Sequence, residues 1–391
     1  MPLRFLTAGE SHGPGLTTIV EGLPAGVLVV KAAIDRDLKR RMAGHGRGGR
    51  MKIESDEVEI LGGVRFARSL GSPVALLIRN RDYANWAAVM DPQGVRPPDD
   101  EARAITRPRP GHADLAGALK LGTHDARDIL ERASARETAA RTAAGALAKA
   151  LLSELGIVVT SRTVGVGPVM AADVEADDVE ALLALADDAP MRVLDAATVR
   201  AMIAAVDEAR ARADSVGGCF EVIARGVPPG LGSHAHWDRR LDARLGAAIL
   251  SIQAVKGVSI GEGMEVAAGG GAAAHDPIVY DATRRRFGRP TNRAGGIEGG
   301  MTNGEDVRVR GYLKPLATLP HGLPSVDLVT KQPFAADVER TDTVPIVAAG
   351  VVGEAMVALV LADAALEKFG GDAIRHTREN LDAFLAGLRD F

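Results

Sequence analysis

Short β-branched and apolar runs, bounded by Gly, Pro or Asp, fill the first ninety residues. They predict strands at Leu16–Val20, Gly26–Val30, Val58–Leu61 and Ala75–Ile78, with a helix over Ala32–Met42 between them. Five prolines between Asp91 and Pro110 exclude a regular helix or a central strand, so this stretch reads as a surface excursion. From Asp114 to Leu155 the pattern becomes helical. Its alanine-rich part, Thr138–Leu152, offers a small-residue face for tight helix contact, and Gly156 ends it. A strand follows at Ile157–Val166, then an acidic stretch, Asp173 to Asp188, that reads as a solvated face. Amphipathic helices are expected at Ala196–Arg212 and Asp238–Ile252, and strands at Phe220–Ala224 and Val307–Leu313. Two helices, about Val344–Phe369 and Arg375–Arg389, close the chain. Strands, long helices, then strands and helices again, without regular βαβ alternation, predict an α+β fold.

Composition adds two constraints. With 46% hydrophobic but only 3% aromatic residues, the core of this 391-residue chain must be built from Ala, Val, Leu and Ile. A net charge of −4 gives no global attraction to nucleic acid or to an anionic membrane. Cys219 is the one cysteine, which excludes an internal disulfide and a cysteine-based zinc site. The apolar run Val344 to Leu366 is interrupted by Glu354 and Asp363, so it reads as a buried helix rather than a membrane span. Without a basic segment and apolar stretch at its start, the sequence is expected to be cytoplasmic.

Gly9-Glu10-Ser11-His12-Gly13 matches the G-x-S-x-G nucleophile elbow, but that elbow needs a helix after the serine and an oxyanion loop before it. Here only eight residues precede Gly9 and a strand follows, which makes Ser11 a poor nucleophile. What remains is a histidine beside a hydroxyl and a carboxylate on a glycine-bent loop. Seven basic residues lie between Arg36 and Lys52. Arg36 and Lys39 need no more than a solvated helix face, whereas Arg47 and Arg50, set among Gly44, Gly46, Gly48 and Gly49, suit bidentate anion binding. Nucleic acid is the weaker alternative, because stacking aromatics are missing. In Arg107-Pro108-Arg109-Pro110-Gly111-His112, prolines hold a titratable group beside cations, which favours the neutral imidazole. Ser134 to Glu137 has capping-box spacing, and the flanking Arg132 and Arg136 make the same helix start a phosphate site. His234-Ala235-His236 lacks a third ligand, so no metal is expected.

Together, Gly9–Gly13 with Glu21-Gly22-Leu23-Pro24-Ala25-Gly26, Gly44-His45-Gly46-Arg47-Gly48-Gly49-Arg50-Met51, Arg109–Asp114, Ser134–Ala139 and Arg340-Thr341-Asp342 closely resemble the chorismate synthases. The resemblance spans almost the whole chain, with the motifs in family order. It implies one domain, 1–391, in which long central helices lie between two antiparallel sheets, a β-α-β sandwich assembled as a homotetramer. It also implies the reduced-FMN-dependent anti-1,4-elimination of phosphate from 5-enolpyruvylshikimate 3-phosphate to give chorismate. NADPH or an outside reductase would supply the reducing equivalents, and the motifs leave both routes open. By the same resemblance His12 protonates the departing phosphate, His112 sits near the reduced flavin ring and manages its proton, and Asp342 assists proton removal at flavin N5. Arg41, Arg47, Arg50 and Arg136 hold the substrate. The flavin positions are Arg132, Ala133, Ser134, Gln253, Ala254, Gly299, Lys314, Pro315, Leu316, Ala317, Thr318 and Arg340. Glu131 and Thr341 stand where the family often has glycine and serine.

Overall fold

The structure, a computed structural model, describes residues 2–48, 56–96, 98, 103–175, 178–339 and 341–391. Its first sheet is built from β1 (Arg4–Ala8), β2 (Gly15–Glu21), β3 (Val58–Gly62) and β4 (Val74–Arg79), in the antiparallel order β1-β2-β4-β3. Leu16, Thr18 and Val20 alternate inward on β2, as Val74, Leu76 and Ile78 do on β4, so one face of this sheet is apolar and sealed. Helix α1 (Lys31–Met42) follows β2 in the chain, and α2 (Asp114–Leu121) and α3 (Arg127–Ala133) lead into α4 (Thr138–Glu154). The second sheet has the order β8-β9-β7-β5-β6, all antiparallel. It comprises β5 (Val158–Val166), β6 (Val169–Met170), β7 (Gly218–Arg225), β8 (Val255–Ile260) and β9 (Val307–Leu313). Between β6 and β7 lie two further helices, Asp178–Ala184 and Ala196–Ala211; Leu241–Leu250 precedes β8, and Ile346–Phe369 and Ile374–Leu388 end the chain.

The expected β-α-β sandwich is present. Helix α4 packs on β2 of the first sheet, while Ile346–Phe369 packs on β5 and β7 of the second. The two helices also pack on each other. Small residues set that distance: a Cβ added to Gly145 would sit 2.2 Å from Ala355 Cβ, and one on Gly353 would sit 2.6 Å from the Phe220 ring. One contiguous hydrophobic core runs through both sheets and the helices between them, drawing on Leu16, Leu76, Leu147, Leu151, Phe220, Val309 and Val357. Its aliphatic character is what a 3% aromatic content requires. Cys219 is part of the buried structure, and burial pushes its thiol up to about 12.

Several expectations need correction. Gly26–Val30 makes no ladder, because its backbone is spent on the Arg65–Leu70 turn: Gly26 N–H donates to Ser69 O and Val29 N–H to Ala67 O. Strand β1 was not expected; its register against β2, Phe5 opposite Val20 and Leu6 opposite Ile19, is a tertiary property. The described residues of the run 91–110 are irregular but not all surface, since Ile105 packs in a small core with Ala126 and Leu130, and Arg109 is buried. The acidic stretch carries the helix Asp178–Ala184, which lays Val179 and Leu182 on Ile223 of β7. The helix expected from Asp238 begins at Leu241, after a 3-10 turn, and β8 follows it where no strand was expected.

The apolar helix Ile346–Phe369 contains an 18-residue stretch with a mean hydropathy of 2.0, 89% of it buried, as a core helix should be. At its centre Glu354 is fully buried, and it accepts four hydrogen bonds from three residues. Arg40 Nη1 and Nη2 donate to it at 2.8 and 2.7 Å, Lys149 Nζ at 2.5 Å and Ser161 Oγ at 2.7 Å. Burial works to raise the Glu354 carboxyl, yet the Lys149 and Arg40 charges outweigh it and hold it far below the ordinary range. Glu354→Ala would leave Arg40 and Lys149 to share the one carboxylate of Asp37, to which each already donates at 2.8 Å, so we expect a loss of about 3 kcal/mol in denaturant unfolding at neutral pH. Because a depressed carboxylate stabilises only above its unfolded-state value, this contribution should fade as pH falls through the carboxylate range. A loss below about 1 kcal/mol would show that Asp37 alone suffices for both cations.

Candidate active site

Two glycine-dependent loops build one end of the site. Gly9 has φ +106°, and a Cβ there would lie 2.2 Å from Gly15 O, so the β1–β2 turn closes only with glycine. This turn presents Ser11 and His12. Gly44 and Gly46 also have positive φ and press on Val347 and Val344, while a Cβ on Gly48 would meet Thr341 O at 2.7 Å. The glycines among the arginines therefore serve close packing onto the start of the last long helix. That contact brings Arg47 to Asp342: Arg47 Nη1 and Gly48 N–H each donate to the carboxylate at 2.6 Å.

These loops open onto a cavity of about 510 Å³. Arg109 and Gly111–Ala113, the α3–α4 junction, the turn at Gln253–Ala254, the segment after β9, and Glu339, Thr341, Asp342 and Pro345 complete its wall. Of the positions singled out in the sequence, His12, His112, Asp342, Arg41, Arg47, Arg136, Ala133, Ser134, Gln253, Ala254, Lys314, Leu316, Ala317 and Thr318 line it. Three do not. The Arg132 guanidinium turns away to Thr7 and Gly9 carbonyls, Gly299 lies in the tight turn between Ile297–Glu298 and Met301–Thr302, and Pro315 packs by Gly217. Arg50 and Arg340 lie outside the described residues. Of the other basic residues in the first cluster, Arg40 belongs to the Glu354 core and Arg36 pairs with Asp187 at the surface.

Each histidine is held by a buried carboxylate that is itself pinned by a buried arginine. Asp114 Oδ1 lies 2.5 Å from His112 Nδ1, and Arg109 Nε donates to Asp114 Oδ2 at 2.8 Å. Burial works to raise the Asp114 carboxyl, but hydrogen bonds from His112 and Arg109 hold it far below the ordinary range. The sequence suggested only cations beside His112; the structure adds this anion. Glu131 Oε1 lies 2.8 Å from His12 Nδ1, and Arg127 Nη1 donates to the same oxygen at 3.1 Å. Neither Asp114 nor Glu131 was singled out as a functional residue. The i, i+4 spacing of Arg127 and Glu131 was a readable signal for their pairing, but nothing local ties them to His12.

Around the anion-facing wall, Arg136 Nη1 donates to both oxygens of Asp56, with Arg41 Nη1 3.6 Å from the same carboxylate. Arg41 also donates to Thr138 Oγ1 and Ala135 O, which fixes its fork. The capping box did not form. Ser134 Oγ accepts from Arg136 N–H, but Glu137 turns inward to Thr7 Oγ1, Arg141 and Gln253. Ser134 Oγ also donates to Ser11 Oγ, so Ser11 has a hydroxyl rather than a base for a neighbour. Ala254 takes φ +68°, an uncommon conformation for a non-glycine residue and a cost paid where the turn reaches the cavity. His236 pairs with Asp238 at the surface. Such a pocket, with two carboxylate-held imidazoles and several arginine forks, suits a polyanionic ligand whose reaction moves protons.

The family model described as chorismate synthase matches residues 3–366. The chain belongs to the chorismate synthase family. A chorismate synthase of Solibacter usitatus (strain Ellin6076) is 53% identical over 389 residues, covering 100% of both chains. One from Moorella thermoacetica is 56% identical over 388 residues, with 99% of this chain and 100% of that one covered. The chorismate synthase of Bacillus subtilis (strain 168) is 49% identical over 391 residues, again 100% of both. A crystal structure of chorismate synthase superposes with a TM-score of 0.80 at 39% identity, covering 100% of this chain and 99% of that one. The α+β architecture of the family is thus the architecture of this enzyme.

Proposed function

We propose that this enzyme converts 5-enolpyruvylshikimate 3-phosphate to chorismate and phosphate with reduced FMN, a carbon–oxygen lyase reaction of the shikimate pathway. The single observation that supports this best is the convergence of His12, His112 and Asp342 with Arg41, Arg47 and Arg136 on one cavity. Arg41, Arg47, Arg50 and Arg136 hold the phosphate and carboxylates, as planar forks suit such groups. His12 gives a proton to the phosphate oxygen as its bond to carbon breaks, His112 would manage a proton beside the reduced flavin ring, and Asp342 would assist proton removal at flavin N5. Reduced FMN supplies transient electron density that neither a histidine nor a carboxylate can lend.

The cavity suits a flavin on its own evidence. Gln253 Oε1 is buried and has no hydrogen-bond partner among the described residues, an acceptor placed for a ring N–H donor. Apolar surface from Leu130, Ile252, Leu316 and Ala317 provides a wall for a flat ring. Ala133, Ser134, Gln253, Ala254, Lys314, Leu316, Ala317 and Thr318 would hold it, with Arg340 added by the family pattern, whereas Arg132, Gly299 and Pro315 face away from the cavity. The shared core supports reading residues 1–391 as one domain. Leu6, Ile19 and Leu61 stand exposed on the outer face of the first sheet, an apolar surface that suits a homotetramer, and a cytoplasmic location accords with one free, buried thiol. Incubating the protein anaerobically with reduced FMN and 5-enolpyruvylshikimate 3-phosphate should yield chorismate on chromatography. Recovery of unchanged substrate would overturn the reading.

A further inference from the structure

His12 is fastened to one residue by both its backbone and its ring. His12 N–H donates to Glu131 Oε2 at 2.8 Å, His12 Nδ1 lies 2.8 Å from Oε1, and the neighbouring Ser11 N–H donates to the Glu131 carbonyl at 2.9 Å. Trp86 stacks on the imidazole with ring centroids 3.8 Å apart and planes 29° apart. Arg103 and Arg127 lie over the Trp86 ring at 4.3 and 5.1 Å. The ring can therefore neither tilt nor turn over. Burial works to raise the Glu131 carboxyl, but its hydrogen bonds with His12 and the nearby Arg127 charge hold it below the ordinary range. Glu131 is thus an anion at neutral pH.

An ionised carboxylate only accepts, so Nδ1 must carry the hydrogen between the two groups. The exchanging nitrogen is then Nε2. It has no partner among the described residues, and His12 lines the cavity. We propose that Glu131 is the positioning residue for proton transfer by His12: it fixes the Nδ1–H form and aims Nε2 at the leaving group. This rests on the reading of His12 as the acid. The charged groups around the pair are Glu131 and Arg127 from α3, Arg103 behind Trp86, Glu339 on Arg127 and Asp82 on the Trp86 indole.

Glu131→Gln keeps the shape but removes the charge and admits the opposite tautomer. We expect kcat to fall roughly 10–100-fold, as for other residues that orient a catalytic imidazole, with substrate affinity by calorimetry changed little. The alkaline limb of the kcat–pH profile should move to lower pH, because the anion opposite the protonated ring is gone. In a His12→Ala background the same substitution should add almost nothing, since its target is absent. An unmoved pH profile would overturn the proposal, and so would an equal loss in both backgrounds. Wild-type turnover in His12→Ala would instead overturn the role of His12 itself, so the two failures are distinguishable. Should the glutamine variant not fold, Glu131→Asp carries the test: it keeps the charge but withdraws it by one methylene, so kcat should fall with the alkaline limb in place. Unchanged kcat in that variant would also overturn the proposal.

Discussion

Replacing His12 or His112 by alanine should each lower chorismate formation by roughly 10²–10⁴-fold, the usual contribution of a general acid or base. The two substitutions leave different holes. Without His12, the buried Glu131 still has Arg127, and without His112, Asp114 still has Arg109. Each remaining carboxylate is therefore paired, and both variants should keep the wild-type far-ultraviolet spectrum. Substrate affinity should change little, because Arg41, Arg47 and Arg136 reach the cavity from other segments. The pH profiles should separate the two roles. If His12 protonates the leaving phosphate, its loss removes the alkaline limb, whereas loss of His112 alters how turnover depends on flavin concentration. Steady-state assays over pH and FMN concentration check both. Wild-type turnover in a folded variant would return that histidine to a merely structural place in its carboxylate–arginine cluster.

Those clusters show where sequence reasoning ends. The helices α1 and α4 and the strand Val307–Leu313 follow from periodicity and boundary residues, which are local. The motifs placed His12, His112 and Asp342 in one site because they are short and ordered along the chain. Their partners were not readable. Glu131 is 119 residues from His12, and no spacing rule connects them. Arg40 and Arg41 are adjacent in a run of basic residues, yet one helical step sends Arg40 to Glu354 in the core and Arg41 to the cavity wall. Charge density in the sequence could not separate an anion site from a buried ion pair, whereas helix geometry does. The glycines at 44, 46 and 48 pointed to the right loop for a different reason than chain flexibility: they let it lie against Thr341, Val344 and Val347.

Activity should be absent with oxidised FMN, appear once the flavin is reduced anaerobically, and then continue for many turnovers per reducing equivalent. Conversion of 5-enolpyruvylshikimate 3-phosphate to chorismate breaks a carbon–oxygen bond to phosphate and a distant carbon–hydrogen bond: the carbon–hydrogen pair stays in the ring as the new double bond forms and the existing one shifts, and the carbon–oxygen pair leaves with phosphate. No electron is gained or lost overall. The proton that His12 gives to phosphate is matched by the hydrogen that leaves the substrate ring, whose removal Asp342 assists at flavin N5, so the protein's groups return to their starting states through solvent. Acid–base residues alone face a hard step, because neither carbon acquires much stabilisation of charge during an ordinary elimination. The need for a reduced cofactor is therefore a need for its electron-rich state during the step rather than for its electrons in the product. Chorismate formed per equivalent of dithionite, measured in a sealed cuvette with FMN at the enzyme concentration, should rise far above one. A ratio fixed at one would make the reaction a reduction, and full turnover with oxidised FMN would leave His12, His112 and Asp342 to carry the whole barrier. Either result would overturn the proposed function.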